Sequence, residues 1–138
     1  MGKIAALDFG LKRTGIAVTD DLQIIASPLT TVESFALIPF LKALVSKENI
    51  ELIILGEPKR LDSTDTHISE NVRLLKGVLE NEFPMTPVQL VDERFTSKMA
   101  SRSMVDMGMK KKKREEKGNV DMISAAIILQ SYLDSRRS

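Results

Sequence analysis

Residues 4–10 read Ile4-Ala5-Ala6-Leu7-Asp8-Phe9-Gly10, an apolar stretch that runs into one acidic residue and a glycine. The apolar run predicts a buried strand over residues 3–8. Strand interiors are depleted in Asp, which is costly to bury unpaired, so an Asp that ends a core strand indicates a paired or metal-bound carboxylate. A turn is the alternative interpretation, because Gly10 could supply the positive φ of a hairpin. Carboxylates elsewhere in the chain that could meet Asp8 would decide between the two.

The hydrophobic pattern predicts five strands, three at hairpin spacing near the N-terminus and two that each follow a helix. We expect these strands at residues 3–8, 14–19, 24–26, 51–56 and 88–91. The first three are expected to pair antiparallel, with a turn at Asp20-Asp21 between the second and the third. Residues 51–56 form a nearly continuous apolar run, which is typical of a strand buried on both faces of a parallel sheet.

Apolar residues at helical spacing predict four helices. We expect them over about residues 35–48, 67–82, from Thr96 or Ser97 to about Met107, and 120–133, with Ser34 capping the first. Pro39 is awkward in the first helix and indicates a later start or a kinked first turn. The element order predicts an α/β fold, in which a mixed five-stranded sheet of three antiparallel strands and then parallel crossovers is flanked by helices.

Length and composition limit the class of protein. We expect residues 1–138 to form a single domain, because a chain of 138 residues can bury roughly two-thirds of its unfolded surface. The absence of cysteine excludes disulfides and thiolate metal sites and fits a reducing compartment, so we expect a cytoplasmic protein. No apolar run approaches the roughly 20 residues of a membrane span, so no membrane association is expected.

The charge balance gives no global attraction to nucleic acid. Lys and Arg total 20 against 19 for Asp and Glu, which leaves a net charge of +1. A nucleic-acid partner would therefore need a local basic patch. Aromatic residues make up 4% of the chain with no Trp, which argues against a base-stacking platform.

Three acidic residues occupy comparable places. Asp8 closes the first strand, Glu93 closes the fifth, and Asp121 lies in the first turn of the last helix. If the first and fifth strands run the same way, Asp8 and Glu93 come out at the same edge of the sheet, where open α/β sheets place their sites. Close carboxylates repel one another unless a cation lies between them, and oxygen ligands favour Mg²⁺ or Mn²⁺.

Each of these features also has a purely structural interpretation. Asp121 could complement the helix dipole, and Asp92 and Glu93 could end a strand with Arg94 as their ion-pair partner. The basic run over residues 110–114 could be a solvated loop and not a phosphate clamp.

Several motifs, in order along nearly the whole chain, resemble those of the YqgF family. They are Asp8-Phe9-Gly10 with Lys12-Arg13 and Gly15, Ser27-Pro28-Leu29, Gly56 with Pro58, Asp92-Glu93-Arg94-Phe95-Thr96-Ser97, and Asp121 before the stretch from Ser124 to Leu133. Members of this family are called pre-16S rRNA nucleases or Holliday junction resolvases and have an RNase H-like fold. The resemblance implies that Asp8, Glu93 and Asp121 are the catalytic, metal-binding carboxylates. The polar loop over residues 57–66 departs from the family pattern, which often has a glycine there.

The residues and the resemblance together favour a metal-dependent hydrolase of phosphodiester bonds. Two Mg²⁺ or Mn²⁺ ions about 4 Å apart would activate a water and stabilise the leaving oxygen. The predicted substrate-binding residues are basic and would position phosphates without reading sequence. They are Lys12, Arg13, Arg94, Lys110, Lys111, Lys112, Lys113 and Arg114.

Three functions remain open on this basis. The first is processing of the 5′ end of pre-16S rRNA within ribosomal precursor particles. The second is resolution of branched DNA, for which a symmetric dimer would be expected. The third is an rRNA-binding maturation factor that does not cut. An actin-like sugar kinase or ATPase would share the Asp8-Phe9-Gly10 loop, but 138 residues leave no room for its second lobe. The sequence does not choose between RNA and DNA, or between monomer and homodimer.

Overall fold

The computed structural model describes residues 2–57, 67–92 and 119–136. These ranges contain five strands, a short 3₁₀ helix (Ser34–Ala36) and three α-helices. The strands are β1 (Lys3–Phe9), β2 (Arg13–Thr19), β3 (Ala26–Glu33), β4 (Ile50–Glu57) and β5 (Val88–Asp92), and the helices are α1 (Leu37–Glu48), α2 (His67–Glu82) and α3 (Asn119–Arg136). The helix predicted from Thr96 or Ser97 to Met107 and the basic run over residues 110–114 lie outside the described residues.

The five strands form one mixed sheet in the order β3-β2-β1-β4-β5. β2 pairs antiparallel with both β1 and β3, whereas β4 pairs parallel with both β1 and β5. This topology confirms the predicted fold class. Because β1 and β5 are both parallel to β4, they run in the same direction, as the candidate site at their carboxyl ends requires.

Both faces of the sheet are covered by apolar packing. On one face, β1 and β4 residues such as Leu7 and Leu55 pack with buried side chains of α1 and α2, including Leu41 and Leu79. On the other face, a second cluster joins the sheet to α3. Its buried members are Ile4, Ala6, Ala17, Ile54, Ala125, Ile128, Leu129 and Leu133. Burial on both faces explains why β1 and β4 read as continuous apolar runs and not as alternating ones.

The third strand was predicted too early in the chain. The prediction placed it over residues 24–26, but β3 runs from Ala26 to Glu33 and pairs with the whole of β2. Asp20 is the reason, because its Oδ1 accepts hydrogen bonds from the backbone N–H groups of Ile24 and Ile25, at 2.8 and 2.9 Å. Gln23 adopts a left-handed φ of 56° in the same segment. These contacts extend the turn through Ile25.

The start of the first helix combines a confirmed prediction with a wrong one. α1 begins at Leu37, which confirms the later start that Pro39 indicates, since Pro39 then falls in the first turn. Ser34 does not cap a helix through its side chain, and its hydroxyl donates to the carbonyl oxygen of Gly10 instead. Within the described ranges, no helix combines the length and apolar character needed to cross a bilayer.

Candidate active site

Asp8 lies on the face of the sheet that α3 covers. Side chains alternate along a strand, and the even-numbered residues Ile4 and Ala6 of β1 pack in the cluster with α3. Asp8 continues this series and is half-buried. Its cross-strand partner on β2 is Gly15. The acidic residue therefore ends a core strand on the side where the last helix begins.

Gly15 brings the first turn of α3 against the sheet. A Cβ atom built at Gly15 would lie 2.0 Å from the carbonyl oxygen of Asp121 and 2.5 Å from the backbone nitrogen of Met122. Only a residue without a Cβ allows this close approach. Directly opposed residues of an antiparallel pair lie about 4.5–5.5 Å apart, so Asp8 and Asp121 are both neighbours of one glycine. Two of the three predicted carboxylate residues are thus brought together from opposite ends of the chain.

Arg13 adds a positive charge beside this pair. Its Nε lies 3.7 Å from Oδ2 of Asp121, and the two side chains are 38% and 34% exposed. Among the described residues, this Nε is a buried side-chain nitrogen without a hydrogen-bond partner. The guanidinium is therefore held beside Asp121 by charge and not by a direct hydrogen bond.

The third predicted carboxylate, Glu93, lies outside the described residues, as do Arg94, Lys110, Lys111, Lys112, Lys113 and Arg114. β5 ends at Asp92, directly before Glu93, and pairs with β4 through Glu57 and Asp92. In the part of the chain that the structure describes, no group of three His, Cys, Asp or Glu residues is arranged to hold a metal ion. The predicted roles of Glu93 and of these basic residues stay predictions.

Glu57 is an acidic strand end that the sequence interpretation missed. It was assigned to the polar loop over residues 57–66, but it is the last residue of β4 and only 7% exposed. Its carboxylate pairs with Nε of Arg73 on α2 at 3.4 Å. This contact lies on the α1 and α2 side of the sheet, whereas Asp8 is on the α3 side. The signal that could have found Glu57 is the one that marks Asp8, an apolar strand that runs directly into an acid.

A surface depression adjoins Arg13. It measures about 420 Å³ and is lined by Leu11, Lys12, Arg13, Glu33 and Phe35. Two of the predicted substrate-binding residues, Lys12 and Arg13, are thus placed next to each other on one surface. Leu11, Glu33 and Phe35 were not predicted to take part in the site.

The chemistry of Asp8 and Asp121 fits a hard divalent cation. Their carboxylates supply the oxygen ligands that Mg²⁺ and Mn²⁺ prefer. Arg13 is already close to Asp121, at 3.7 Å from its Oδ2. A metal ion bound by Asp121 would therefore share this carboxylate with the guanidinium or displace it.

Sequence comparisons match this chain to known proteins along nearly its whole length. A family model described as "RuvX: Holliday junction resolvase" matches residues 2–135. A protein of Christiangramia forsetii named "Putative pre-16S rRNA nuclease" is 51% identical over 133 residues, which are 96% of this chain and 98% of the relative. A protein of Bacteroides thetaiotaomicron with the same name is 49% identical over 137 residues, which are 99% of each chain.

Solved structures share the fold at much lower sequence identity. Thermus thermophilus RuvC in complex with a Holliday junction substrate has a TM-score of 0.58 and 15% identity, and the match covers 100% of this chain and 97% of that one. The yeast mitochondrial Holliday junction resolvase Ydc2 has a TM-score of 0.54 and 11% identity, with 96% and 78% covered. These likenesses bear on the fold, which is of the RNase H-like resolvase type.

Proposed function

Because this chain belongs to the RuvX family, also called YqgF, we propose that it is a divalent-metal-dependent nuclease that hydrolyses phosphodiester bonds in a structured nucleic acid. The observation that carries the proposal is the contact of Gly15 with both acidic positions, since Gly15 pairs with Asp8 and abuts the backbone of Asp121. Asp8, Glu93 and Asp121 would hold Mg²⁺ or Mn²⁺. The bound metal would supply an activated water and charge stabilisation of the leaving oxygen.

The chain's own cations would place the substrate. Lys12 is exposed, and Arg13 lies 3.7 Å from Asp121, so a phosphate bound by this pair would lie next to the carboxylates. Contacts of this kind fix the orientation of the nucleic acid and carry no sequence information. Arg94 and residues 110–114 are proposed to extend the same phosphate-binding surface. Selection of a substrate would then depend on its shape.

Processing of the 5′ end of pre-16S rRNA is the function that we favour. Two relatives named as pre-16S rRNA nucleases are 51% and 49% identical and match 96% and 99% of the chain. Such levels of identity over the full length support a common substrate. The proposed place of action is a ribosomal precursor particle in the cytoplasm.

Resolution of Holliday junctions is the second candidate. It is favoured by the description of the family model that matches residues 2–135. A resolvase must cut two strands about a two-fold axis, so this function requires a symmetric dimer. Solution mass therefore bears on the choice, because a strictly monomeric protein would argue against junction resolution.

Cleavage assays with Asp8→Asn test the proposal. The substrates are an RNA that carries the 5′ leader of 16S rRNA and a four-way DNA junction, each in Mg²⁺, in Mn²⁺ and in EDTA. We expect the wild type to cut the RNA in either metal and EDTA to abolish cleavage. Asp8→Asn should lower the rate by at least about 100-fold, because even the loss of an outer-shell partner of a metal ligand can cost this much.

Asp20→Asn is the matched control for this assay. It makes the same chemical change in the turn that follows β2, away from Gly15. The amide oxygen can still accept the turn hydrogen bonds that Asp20 accepts. Its cleavage rate should equal that of the wild type. An undiminished rate in Asp8→Asn would contradict the catalytic assignment, and binding of the RNA without any cleavage by the wild type would favour the non-cutting maturation factor.

A further inference from the structure

The depression lined by Arg13 has the size of a ligand site. Its volume of about 420 Å³ lies within the about 300–1,000 Å³ that is usual for small-molecule pockets. Arg13 belongs both to the depression and to the carboxylate site, because it lines the former and its Nε lies 3.7 Å from Asp121. A group bound in the depression would therefore be a direct neighbour of a phosphate bound for cleavage.

Two large apolar side chains are exposed in this depression. Phe35 is 85% exposed and Leu11 is 67% exposed. The other phenylalanines that the structure describes, Phe9, Phe40 and Phe83, are buried or half-buried. Leaving a Phe in water forgoes about 1.5–3 kcal/mol of burial. An isolated exposed apolar residue needs no explanation, but two that share one depression with Lys12 and Arg13 indicate a ligand surface.

Hydrogen bonds hold the two sides of the depression together. The hydroxyl of Ser34 donates to the carbonyl oxygen of Gly10, and its backbone N–H donates to the carbonyl oxygen of Lys12 at 2.8 Å. The hydroxyl groups of Ser34 and Thr14 lie 2.9 Å apart in a third hydrogen bond. The segment that carries Phe35 is thus tied to the loop that carries Lys12. A preformed surface of this kind lowers the ordering cost of binding.

The mixed charges of the depression fit a nucleobase better than a second phosphate. Lys12 and Arg13 attract a phosphate, whereas Glu33, the cross-strand partner of Arg13, repels one. A carboxylate can instead accept hydrogen bonds from the amino groups of a base. The apolar side chains supply stacking, which is worth about 1–3 kcal/mol per base on an aromatic ring.

We propose that Phe35, with Leu11 and Glu33, binds one unpaired nucleobase of the substrate while Lys12 and Arg13 bind the adjoining phosphate. The proposal rests on the nuclease function above and gives its substrate a defining feature, an unpaired nucleotide next to the bond that is cut. Only an unpaired base has a face free for stacking, because both faces are covered within a duplex. A chain with 4% aromatic residues and no Trp lacks a multi-base stacking platform, but a single exposed Phe is enough to stack on one base.

Binding of normal and abasic ligands tests the proposal. Each ligand is a duplex with a single-stranded extension, made as RNA and as DNA, and the extension carries either bases or abasic sites. Abasic sites keep every phosphate and remove only the stacking surface. Binding is measured in EDTA, so that no cleavage occurs, for the wild type, Phe35→Ala and Leu74→Ala. Leu74 is a matched control, because it is 70% exposed and belongs to α2, outside the residues that line the depression.

We expect the wild type to bind the base-containing extension at least about 5-fold more tightly than the abasic one, in one or both sugar forms, which is the lower end of the stacking range. Phe35→Ala should lose this preference and keep its affinity for the abasic ligand, whereas Leu74→Ala should behave as the wild type. Equal affinity of the wild type for both ligands would overturn the proposal. A preference that survives Phe35→Ala would also overturn it.

A fluorescent variant gives a second and independent measurement. The chain has no Trp, so Phe35→Trp introduces an indole that can be excited selectively. Its emission should be quenched by the base-containing extension and not by the abasic one, and equal quenching by both would contradict base stacking. Because these measurements need neither metal nor cleavage, a protein that fails as a nuclease can still show base binding. An active nuclease without the preference would refute this inference alone.

Discussion

The ion pair of Arg13 and Asp121 contributes little to stability but positions a guanidinium beside a predicted metal ligand. Their side chains are 38% and 34% exposed and the atoms are 3.7 Å apart, so solvent screens their attraction. Pairs of this kind contribute about 0–1 kcal/mol to folding. The importance of the pair is local, because it keeps the Arg13 guanidinium next to the Asp121 carboxylate. Arg13 lines both this site and the depression with Phe35.

Asp20, just after the opposite end of β2, contributes to stability through backbone hydrogen bonds. The backbone N–H groups of Ile25 and Ile24 donate to its carboxylate, and these hydrogen bonds lower the pKa of Asp20. Because the pKa is lower in the folded chain, ionised Asp20 stabilises the fold above the unfolded-chain pKa of about 3.9. This stabilisation is lost as the pH falls through the folded-state pKa.

We therefore predict that Asp20→Ala is less stable than the wild type at pH 7 and that the difference narrows as the pH falls from 5 to 2. Urea unfolding followed by circular dichroism measures both effects. Asp20→Asn serves as the control, because its amide oxygen accepts the same hydrogen bonds and it does not ionise. A difference between Asp20→Ala and the wild type that stays constant down to pH 2 would refute the role of the ionised carboxylate.

At the scale of elements, the contact between β2 and α3 determines whether the site exists. The backbone of Asp121 occupies the space where a side chain of Gly15 would be, at 2.0 Å from an ideal Cβ. The atoms in this contact are backbone, which cannot move aside as a flexible side chain can. Gly15 is thus a condition for the first turn of α3 to lie beside Asp8.

We predict that Gly15→Ala destabilises the protein by about 3 kcal/mol, the upper part of the usual range for overpacking, because α3 must shift away from the sheet. Gly77→Ala is the matched control. Gly77 lies within α2 and a Cβ built there meets no atom within 4 Å, so this change should stabilise the protein by about 0.5–1 kcal/mol. Urea unfolding of both variants gives the comparison, and equal stability of the two would contradict the packing argument.

The sequence predicts most elements because their burial is regular. The apolar runs of β1 and β4 predict strands covered on both faces, and Pro39 correctly predicts the later start of α1 at Leu37. The third strand was misplaced because Asp20 and a left-handed Gln23 prolong the turn through two isoleucines. An apolar pair such as Ile24-Ile25 has no local feature that distinguishes a turn from a strand.

Tertiary contacts explain the other differences. Ser34 precedes a helix and looks like an N-cap, but a hydrogen bond to Gly10, 24 residues earlier, uses its hydroxyl. Glu57 was read as part of a loop because the following residues are polar, yet its ion pair with Arg73 buries it at the end of β4. Local patterns cannot reveal partners that are distant in sequence.

At the scale of the whole molecule, the sheet topology assembles the site from distant parts of the chain. β1 and β5 run in the same direction because each is parallel to β4, which the sequence interpretation had only as a condition for the site. That Asp8 and Asp121 are both neighbours of Gly15 could not be predicted from the sequence. The physical cause of this arrangement, the glycine that admits the helix, was visible in the sequence but had no interpretable role until the cross-strand register was known.

Because the net charge of the molecule is close to zero, any electrostatic attraction to nucleic acid must come from a local basic patch. With a net charge of +1, attraction must come from groups of cations such as Lys12 and Arg13. Both residues line the depression and Arg13 also lies 3.7 Å from Asp121, so the same few residues would attract the substrate and position it. Phe35 would then add discrimination between paired and unpaired nucleotides at this position.

Calorimetric titration of Mn²⁺ into the wild type, Asp8→Asn, Asp121→Asn and the double variant tests most directly whether Asp8 and Asp121 hold a shared metal ion. Two ligands of one ion act as a unit, so their effects should not add. We predict that each single substitution removes most of the affinity and that the second substitution lowers it little further. A wild type that binds no Mn²⁺, or two effects that add as at independent sites, would contradict the shared metal site.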